Sequence, residues 1–416
     1  MRILIVTQYF WPESFRINDL ALGLTERGHR VTVLTGMPNY PSGELFDGYG
    51  WFMPLREIFQ GIEIVRVPLI TRGKNRNWRL ALNYLSFALF ASLFGPWRCR
   101  GSFDMVFIYQ PSPLTVGIPG LILGRIKHAP VIIWVQDLWP ETIGAVGAVR
   151  SKFALRAVGK LSDCIYRACD LILAQSKAFI PRLAARGIDA SKLSYMPNWA
   201  EDFYRPAAQP EAGPDPIPGA NGFRVVFAGN IGSAQSFETI VAAASLLRDF
   251  SDIHWVVIGD GHMRAWLEAE LVKRGLESNF RLLGRQPPEN MPLHFAYADA
   301  LLVTLRAEPV FSLTVPSKIQ SYLACGKPLI GSLNGEGADV IEEAGAGIAC
   351  RAEDAGALAD AVLKVYRMTP PDRMRLGDNG RSYFEAHFER RRLLDQLDIK
   401  IRELASEHHA DTYTGR

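Results

Sequence analysis

The sequence predicts an α/β fold of two Rossmann-like, parallel-sheet domains facing a central cleft. Three observations carry this. The chain has 416 residues, more than one hydrophobic core comfortably serves. In both halves, continuous apolar runs of strand length alternate with helical stretches, as when strands are covered on both faces. Between the halves, residues 206–221 (PAAQPEAGPDPIPGAN) are rich in Pro, Ala and Gly and lack a hydrophobic period, which is linker composition.

An N-terminal domain is expected over 1–205. It opens on MRILIVTQYF, a buried strand. DLALGLTERGHR follows with helical period, Gly28 closing it, and VTVLTG returns as a second strand. Strand, helix, strand is a βαβ unit and implies a parallel sheet. Further strands are expected at IEIVRVPL, DMVFIYQ, PVIIWVQD and DLILAQS, with a helix at SKFALRAVGKLSDCIYRACD. LSYMPNWAEDFYRP closes this half. A second series over 222–390 runs FRVVFAGN, helix FETIVAAASLLRDF, HWVVIGDG, helix MRAWLEAELVKRG, FRLLG, a short helix and ADALLVTL. PSKIQSYLACGKPLIG then reads as a short helix stopping at Gly326 and running through Lys327 and Pro328 into a buried strand. From about Asp372 the chain is helical and charged, with 391–416 as C-terminal helix and tail.

Composition narrows the function. The formal net charge of +3 does not point to nucleic acid. Cys99, Cys164, Cys169, Cys325 and Cys350 show no CxxC or Cys/His spacing. That argues against a zinc site or a disulfide framework and fits a reducing compartment. The N-terminus has one basic residue and a short apolar run without a small-residue cleavage site, so the chain reads as cytoplasmic.

In such sheets ligands bind beyond the carboxyl ends of the strands. The first loop there, QYFWPESFRIND, lacks GxGxxG, which counts against a dinucleotide enzyme. It offers aromatics with Glu13, Arg16 and Asn18, a mixture that suits a sugar ring; Phe and Trp plugging the domain edge would read the same. In FAGNIGSAQS, Gly229 and Gly232 allow backbone amides close to a ligand, and the next helix would aim its positive end at the same spot; an ordinary tight turn is the alternative. In GDGHMR, Gly259 and Gly261 read likewise, or Asp260 is a helix N-cap. In PSKIQSY, Ser317 is the expected N-cap and Lys318 stands in the first turn. A lysine there costs roughly 0.3–1 kcal/mol against the helix dipole, and a bound phosphate would reverse the sign. A solvated surface lysine is the alternative.

One apolar stretch stands apart. LALNYLSFALFASLFGPW, residues 80–97, follows Arg72, Lys74, Arg76 and Arg79 and precedes Arg98 and Arg100. As a helix it would span about 27 Å, near a bilayer core, yet Asn83, Ser86 and Ser92 interrupt it. The preferred reading, over about 78–98, is an interfacial helix with basic flanks on anionic lipid; a buried core helix is the alternative.

Taken in order, QYFWPESFRINDLALGLTERGHRVTVLTGMPNYP, VQDLWPE, AGNIGSAQS, GDG and VPSKIQSYLACGKPLIG resemble glycosyltransferase family 4, over nearly the whole chain. The resemblance implies the GT-B fold, no metal, no cofactor, and a UDP- or GDP-linked sugar as donor. It implies diphosphate contacts at Gly229, Asn230, Gly232, Gly259, Ser317 and Lys318, and base contacts at Gly284 and Arg285. It places catalytic groups at Gln136, Asp137 and Glu141, and the acceptor beside Glu13, Arg16 and Asn18. The N-terminal block and VPSK look most like bacterial fucose or N-acetylfucosamine transferases of O-antigen, capsule and colanic acid assembly. An undecaprenyl-diphosphate-linked glycan acceptor, and a peripheral place on the inner face of the bacterial plasma membrane, follow from that branch. The family route is retention by front-face displacement, the leaving diphosphate taking the acceptor proton.

Three departures stand out. The family's E-x7-E pair falls at Leu313 and Ser321, its arginine and lysine at Asn230 and Gln235, and its histidine at Gln136. Lys318 and Arg306 are expected to restore positive charge, and Ser321 to hydrogen-bond a ribose hydroxyl more weakly than a carboxylate would. A sugar-nucleotide 2-epimerase and a non-catalytic sugar-nucleotide binder are the alternatives.

Overall fold

The computed structural model describes residues 1–50, 55–73, 77–145, 151–209, 215–217 and 222–414. They separate into two compact units, Met1–Pro197 with Arg391–Arg416, and Asn198–Arg390. The expected boundary at 205 moves back to Pro197, because Ala200 and Tyr204 pack into the second unit's core. The C-terminal helix is no separate tail. It joins the first unit, where Arg27 meets Asp395 and His29 meets Asp398, both at 2.6 Å.

Among the described residues, the first unit holds eight strands: β1 (Arg2–Val6), β2 (Arg30–Gly36), β3 (Arg56–Phe59), β4 (Ile62–Val67), β5 (Met105–Gln110), β6 (Val131–Val135), β7 (Leu171–Ala174) and β8 (Leu193–Tyr195). Their order is β3-β4-β2-β1-β5-β6-β7-β8. All neighbours are parallel except the β3–β4 hairpin, whose turn residues Gln60 and Gly61 both have positive φ. Sequence reading missed β3. Its reason lies in β4, where the fully buried Arg66 takes Glu57 of β3 as its carboxylate and donates to the Gly36 carbonyl at 2.9 Å. The first helix, Arg16–Glu26, buries Ile17, Leu20, Ala21 and Leu24. It ends where Gly28, at φ +80°, donates to the Thr25 carbonyl at 2.9 Å.

The apolar stretch forms the helix Asn77–Arg98. Lys74 and Arg76 of its basic flank lie outside the described residues. Asn83 and Ser86 do not interrupt an outer face, since both are buried against the domain.

The second unit is a parallel sheet of β9 (Phe223–Ala228), β10 (Ile253–Ile258), β11 (Phe280–Gly284), β12 (Ala300–Thr304), β13 (Leu329–Ser332) and β14 (Gly347–Cys350). The order β11-β10-β9-β12-β13-β14 reverses direction between β9 and β12. Period-2 alternation sorts its two cores. Val226 and Ala228 pack with Ile319, Tyr322 and Leu323 on one face, Val225 and Phe227 with Phe237, Ile240 and Leu267 on the other. The edge strand β14 was not expected. The charged tail is two helices, Pro370–His387 and Arg390–Thr414.

Candidate nucleotide-binding site

The candidate site lies at the carboxyl ends of β9 and β10, within the second unit. β9 runs into Gly229 at φ +140° and β10 into Gly259 at φ +145°. The Gly229 amide donates to the Ile258 carbonyl, and the Gly259 amide to that of Gly284, both at 2.8 Å. A Cβ on Gly259 would stand 1.9 Å from the Gly229 carbonyl oxygen. Two turns of bare backbone therefore stack where side chains would collide. Beside them the helix Ser317–Ala324 presents its N-terminus.

Together they enclose a cavity of about 510 Å³. Tyr204, Pro288, Met291 and Phe295 form an apolar wall; Asn230, Asp260, Arg285, Ser317, Lys318 and Ser321 form a polar one. A cavity of this size with few convergent polar groups fits a small organic anion.

Lys318 dominates its electrostatics. Its Nζ sits 3.6 Å from the centre of the Phe227 ring, and its Cε would lie 2.5 Å from a Cβ on Gly229. Burial pushes the ammonium down to about 7. A helix N-terminus and a lysine in its first turn make an electropositive end, the arrangement that takes phosphate.

The structure sorts the expected donor residues. Gly229, Asn230, Gly259, Arg285, Ser317, Lys318 and Ser321 line the cavity; Gly232 and Arg306 do not. Gly232 is extended at φ −126°, and its absent Cβ faces the Asn230 side chain. Arg306 pairs with Glu238 at 2.8 Å, so its charge is compensated away from the cavity. The helix Phe237–Leu246 contributes nothing to the lining; the loop before it is tied to the end of β12, where the Arg306 amide donates to Ala234 at 2.9 Å. Ser317 is the first helical residue and not the N-cap, which is Pro316, so no side chain occupies the first-turn amides. Ser321 Oγ donates back to the Ser317 carbonyl at 3.3 Å. Asp260 caps no helix; Oδ1 accepts from the Gly261 amide at 2.8 Å. Tyr322 escaped the sequence reading. Its hydroxyl accepts from the Ala228 amide at 2.9 Å and locks the helix to β9.

In the first unit, Asp137 follows β6 and accepts from Ser112 Oγ at 2.8 Å. Burial raises its carboxyl above the usual range, and the Ser112 hydrogen bond opposes that. It is not an N-cap; the next helix begins at Glu141. Gln136 continues the strand, its amide donating to Gln110 at 2.9 Å. Glu141 stands 3.7 Å from Arg186, which also holds Asp163 at 2.6 Å.

The acceptor-side reading of the first loop meets a correction. Glu13 is 2% exposed, and Oε1 accepts from the Asn39 and Tyr40 amides at 2.8 and 2.7 Å. Desolvation pushes its carboxyl up to about 7. Asn18 donates to the Glu13 carbonyl at 2.7 Å, and Arg16 begins the helix Arg16–Glu26. Tyr9 stacks on Phe15 with ring centres 4.8 Å apart, and Tyr40 packs on Phe15 at 5.1 Å. Glu13 and Asn18 build the loop from within, Tyr9 and Phe10 are buried beneath it, and Trp11 stays exposed.

Among the described residues, no group of three His, Cys, Asp or Glu side chains could hold a metal ion.

The family model described as Glycosyl transferase 4-like domain matches residues 14–199, and that described as Glycosyl transferases group 1 matches 218–383. The chain is 29% identical over 285 residues to the Pseudomonas aeruginosa protein named as glycosyltransferase WbjE, covering 66% of this chain and 69% of that one. It is 25% identical over 341 residues to the Escherichia coli protein named as colanic acid biosynthesis glycosyl transferase WcaI, covering 78% and 82%. The crystal structure of Anabaena HepE in complex with UDP superposes with a TM-score of 0.68 at 15% identity, over 97% of this chain and 100% of that one. With one family model on each Rossmann-like unit and glycosyltransferases as its relatives, the chain belongs to glycosyltransferase family 4 and has the GT-B fold.

Proposed function

We propose that this glycosyltransferase moves a sugar from a nucleoside diphosphate donor, held in the cavity of the second unit, to a lipid-linked oligosaccharide acceptor in cell-surface polysaccharide assembly. The observation that carries the donor half is Lys318, a desolvated ammonium lining the cavity at a helix N-terminus and lying over the Phe227 ring. The donor's diphosphate is its counter-ion. Ser317 and the first-turn amides share that charge, and the bare backbone at Gly229 and Gly259 lets the phosphates come close. Ser321 takes a ribose hydroxyl. The base rests toward Met291, Phe295 and Arg285. HepE, a structural relative crystallised with UDP, supports a nucleotide as the ligand.

Catalysis in this reading is charge stabilisation and positioning. Lys318 and the helix N-terminus hold the developing diphosphate charge. The acceptor hydroxyl attacks on the same face, its oxygen bonds to the anomeric carbon as the carbon–phosphate oxygen bond breaks, and its proton passes to the leaving diphosphate. Configuration is retained. Asp137, steadied by Ser112, orients the acceptor. The name of WcaI, a colanic acid biosynthesis glycosyl transferase, supports polysaccharide assembly. In this reading the sugar is fucose or N-acetylfucosamine and the site of action is the inner face of the plasma membrane. No cofactor beyond the donor is required.

A thermal-shift panel of UDP, GDP, UDP-N-acetylhexosamines and GDP-fucose tests the donor half. A selective rise in Tm with one base supports it; no shift with any of them overturns it. A shift without transfer to any lipid-linked acceptor favours a non-catalytic binder, and isomerised donor as the product favours a 2-epimerase.

A further inference from the structure

The helix Asn77–Arg98 is built inside out. Its polar residues face the protein. Asn83 is fully buried, accepts from Gln8 Nε2 at 2.6 Å and donates to the Ile70 carbonyl at 2.7 Å. Ser86 Oγ accepts from the Ile70 amide at 2.9 Å. Phe87 and Ala91 fill the rest of the inner side. The outer side is apolar. Trp78, Leu82, Leu85, Leu89, Leu93 and Trp97 recur at intervals of three and four residues, one stripe on one face. Leu85, Leu89 and Leu93 are each more than half exposed, and Trp97 is 80% exposed. A surface helix of a globular protein ordinarily shows the reverse, and a contiguous apolar patch of this kind marks an interaction site.

Charge and length identify the partner. Residues 64–103 contain no Asp or Glu, and Arg79 and Arg100 stand at the two ends of the stripe, while Arg98 turns inward and donates to the Arg66 carbonyl at 2.6 Å. Trp78 and Trp97 close it about 28 Å apart along the helix axis, and tryptophan favours the headgroup level of a bilayer. A protein partner for so basic a segment would have to cover the arginines with acid; an anionic lipid surface supplies both the apolar depth and the charge. The helix does not cross that surface, because its buried polar side is bonded to the domain's own backbone.

We propose that this helix lies flat in an anionic lipid interface, its Leu and Trp stripe among the acyl chains and its terminal arginines on the headgroups. The inference deepens the proposed function and rests on it for one consequence: confinement to the surface selects acceptors that are carried by lipid.

The test is co-sedimentation of the full-length protein with phosphatidylcholine vesicles, with and without phosphatidylglycerol. Wild type is expected to bind the phosphatidylglycerol vesicles and to lose tryptophan fluorescence to bromine-labelled acyl chains. Leu85→Glu combined with Leu89→Glu is expected to lower vesicle affinity by about a hundredfold while keeping the wild-type thermal shift with nucleotide. That shift shows that the variant is folded, and the bromine quenching reads the same contact with no variant at all. Unchanged sedimentation of the variant, or absence of quenching in wild type, overturns the proposal. So does a dimer in ultracentrifugation that the variant abolishes while neither protein binds vesicles, since a second copy then covers the stripe. Failure of the donor reading looks different: vesicle binding persists and nucleotide gives no shift.

Discussion

Replacing Lys318 with methionine removes one ammonium and keeps most of the side-chain volume packed between Gly229 and the Phe227 ring. A charge-assisted hydrogen bond to phosphate contributes about 1.5–3 kcal/mol, so donor Kd is expected to rise about 10- to 150-fold. The pH dependence makes the test specific. Burial holds the empty-site ammonium at about 7, and a bound diphosphate raises it, because opposite charge favours the protonated form. Donor affinity is therefore fully present below pH 7. Above pH 7 it falls, by up to about tenfold per pH unit, until the pKa of the bound state is reached. Titration calorimetry at pH 6, 7 and 8, in buffers of different ionisation enthalpy, should show proton uptake on binding at pH 8 that is lost in Lys318→Met. The apo variant should also melt higher at neutral pH, since a lysine whose folded pKa is depressed costs stability at and below that pKa. A wild-type Kd that does not change with pH and is matched by the variant would refute this reasoning.

Three further outcomes follow from the geometry. Gly259→Ala should cost about 3 kcal/mol or more and abolish the nucleotide-induced shift, because φ is +145° and the Gly229 carbonyl occupies the space of the new Cβ; chemical denaturation and the thermal-shift panel check it. Ser112→Ala removes the hydrogen bond that holds the Asp137 carboxyl down, so the acidic limb of the pH–rate profile should move to higher pH with donor Kd unchanged. Glu13→Gln keeps an acceptor for the Asn39 and Tyr40 amides. Because the Glu13 carboxyl is raised to about 7 from 4.5, wild type should lose stability as pH rises through that window, and the variant should not; Tm against pH for both proteins measures it.

The cavity proposed for the donor was legible in part because three of its signals are local. A glycine at a strand end and a lysine in a first helical turn need only the flanking periodicity to be noticed, and Gly229, Gly259 and Lys318 all line the cavity. Arg306 looked equally suitable until Glu238, 68 residues away in sequence, took its charge. Glu13 and Asn18 had the composition of a sugar site, yet their partners are amides of the next loop and their own backbone. Tyr322 and the apolar wall of Tyr204, Met291 and Phe295 left no motif, since they reach the cavity from three separate segments, Met291 and Phe295 together from one short helix.

By itself the sequence determined that this is an α/β protein in two halves, because strand and helix periods are written within a few residues of each other. It also pointed to an apolar helix over about 78–98. Tertiary structure decided strand order, since hydrogen-bonded neighbours such as β1 and β5 lie far apart in the chain. It decided the short strands β3 and β14, whose four residues each carry too little pattern to stand alone. It decided, too, which way the apolar helix faces. Asn83 and Ser86 read as breaks in a hydrophobic run, but the backbone of Ile70 supplies their hydrogen bonds. A buried polar group goes where its partner is, and here that turned the leucines outward.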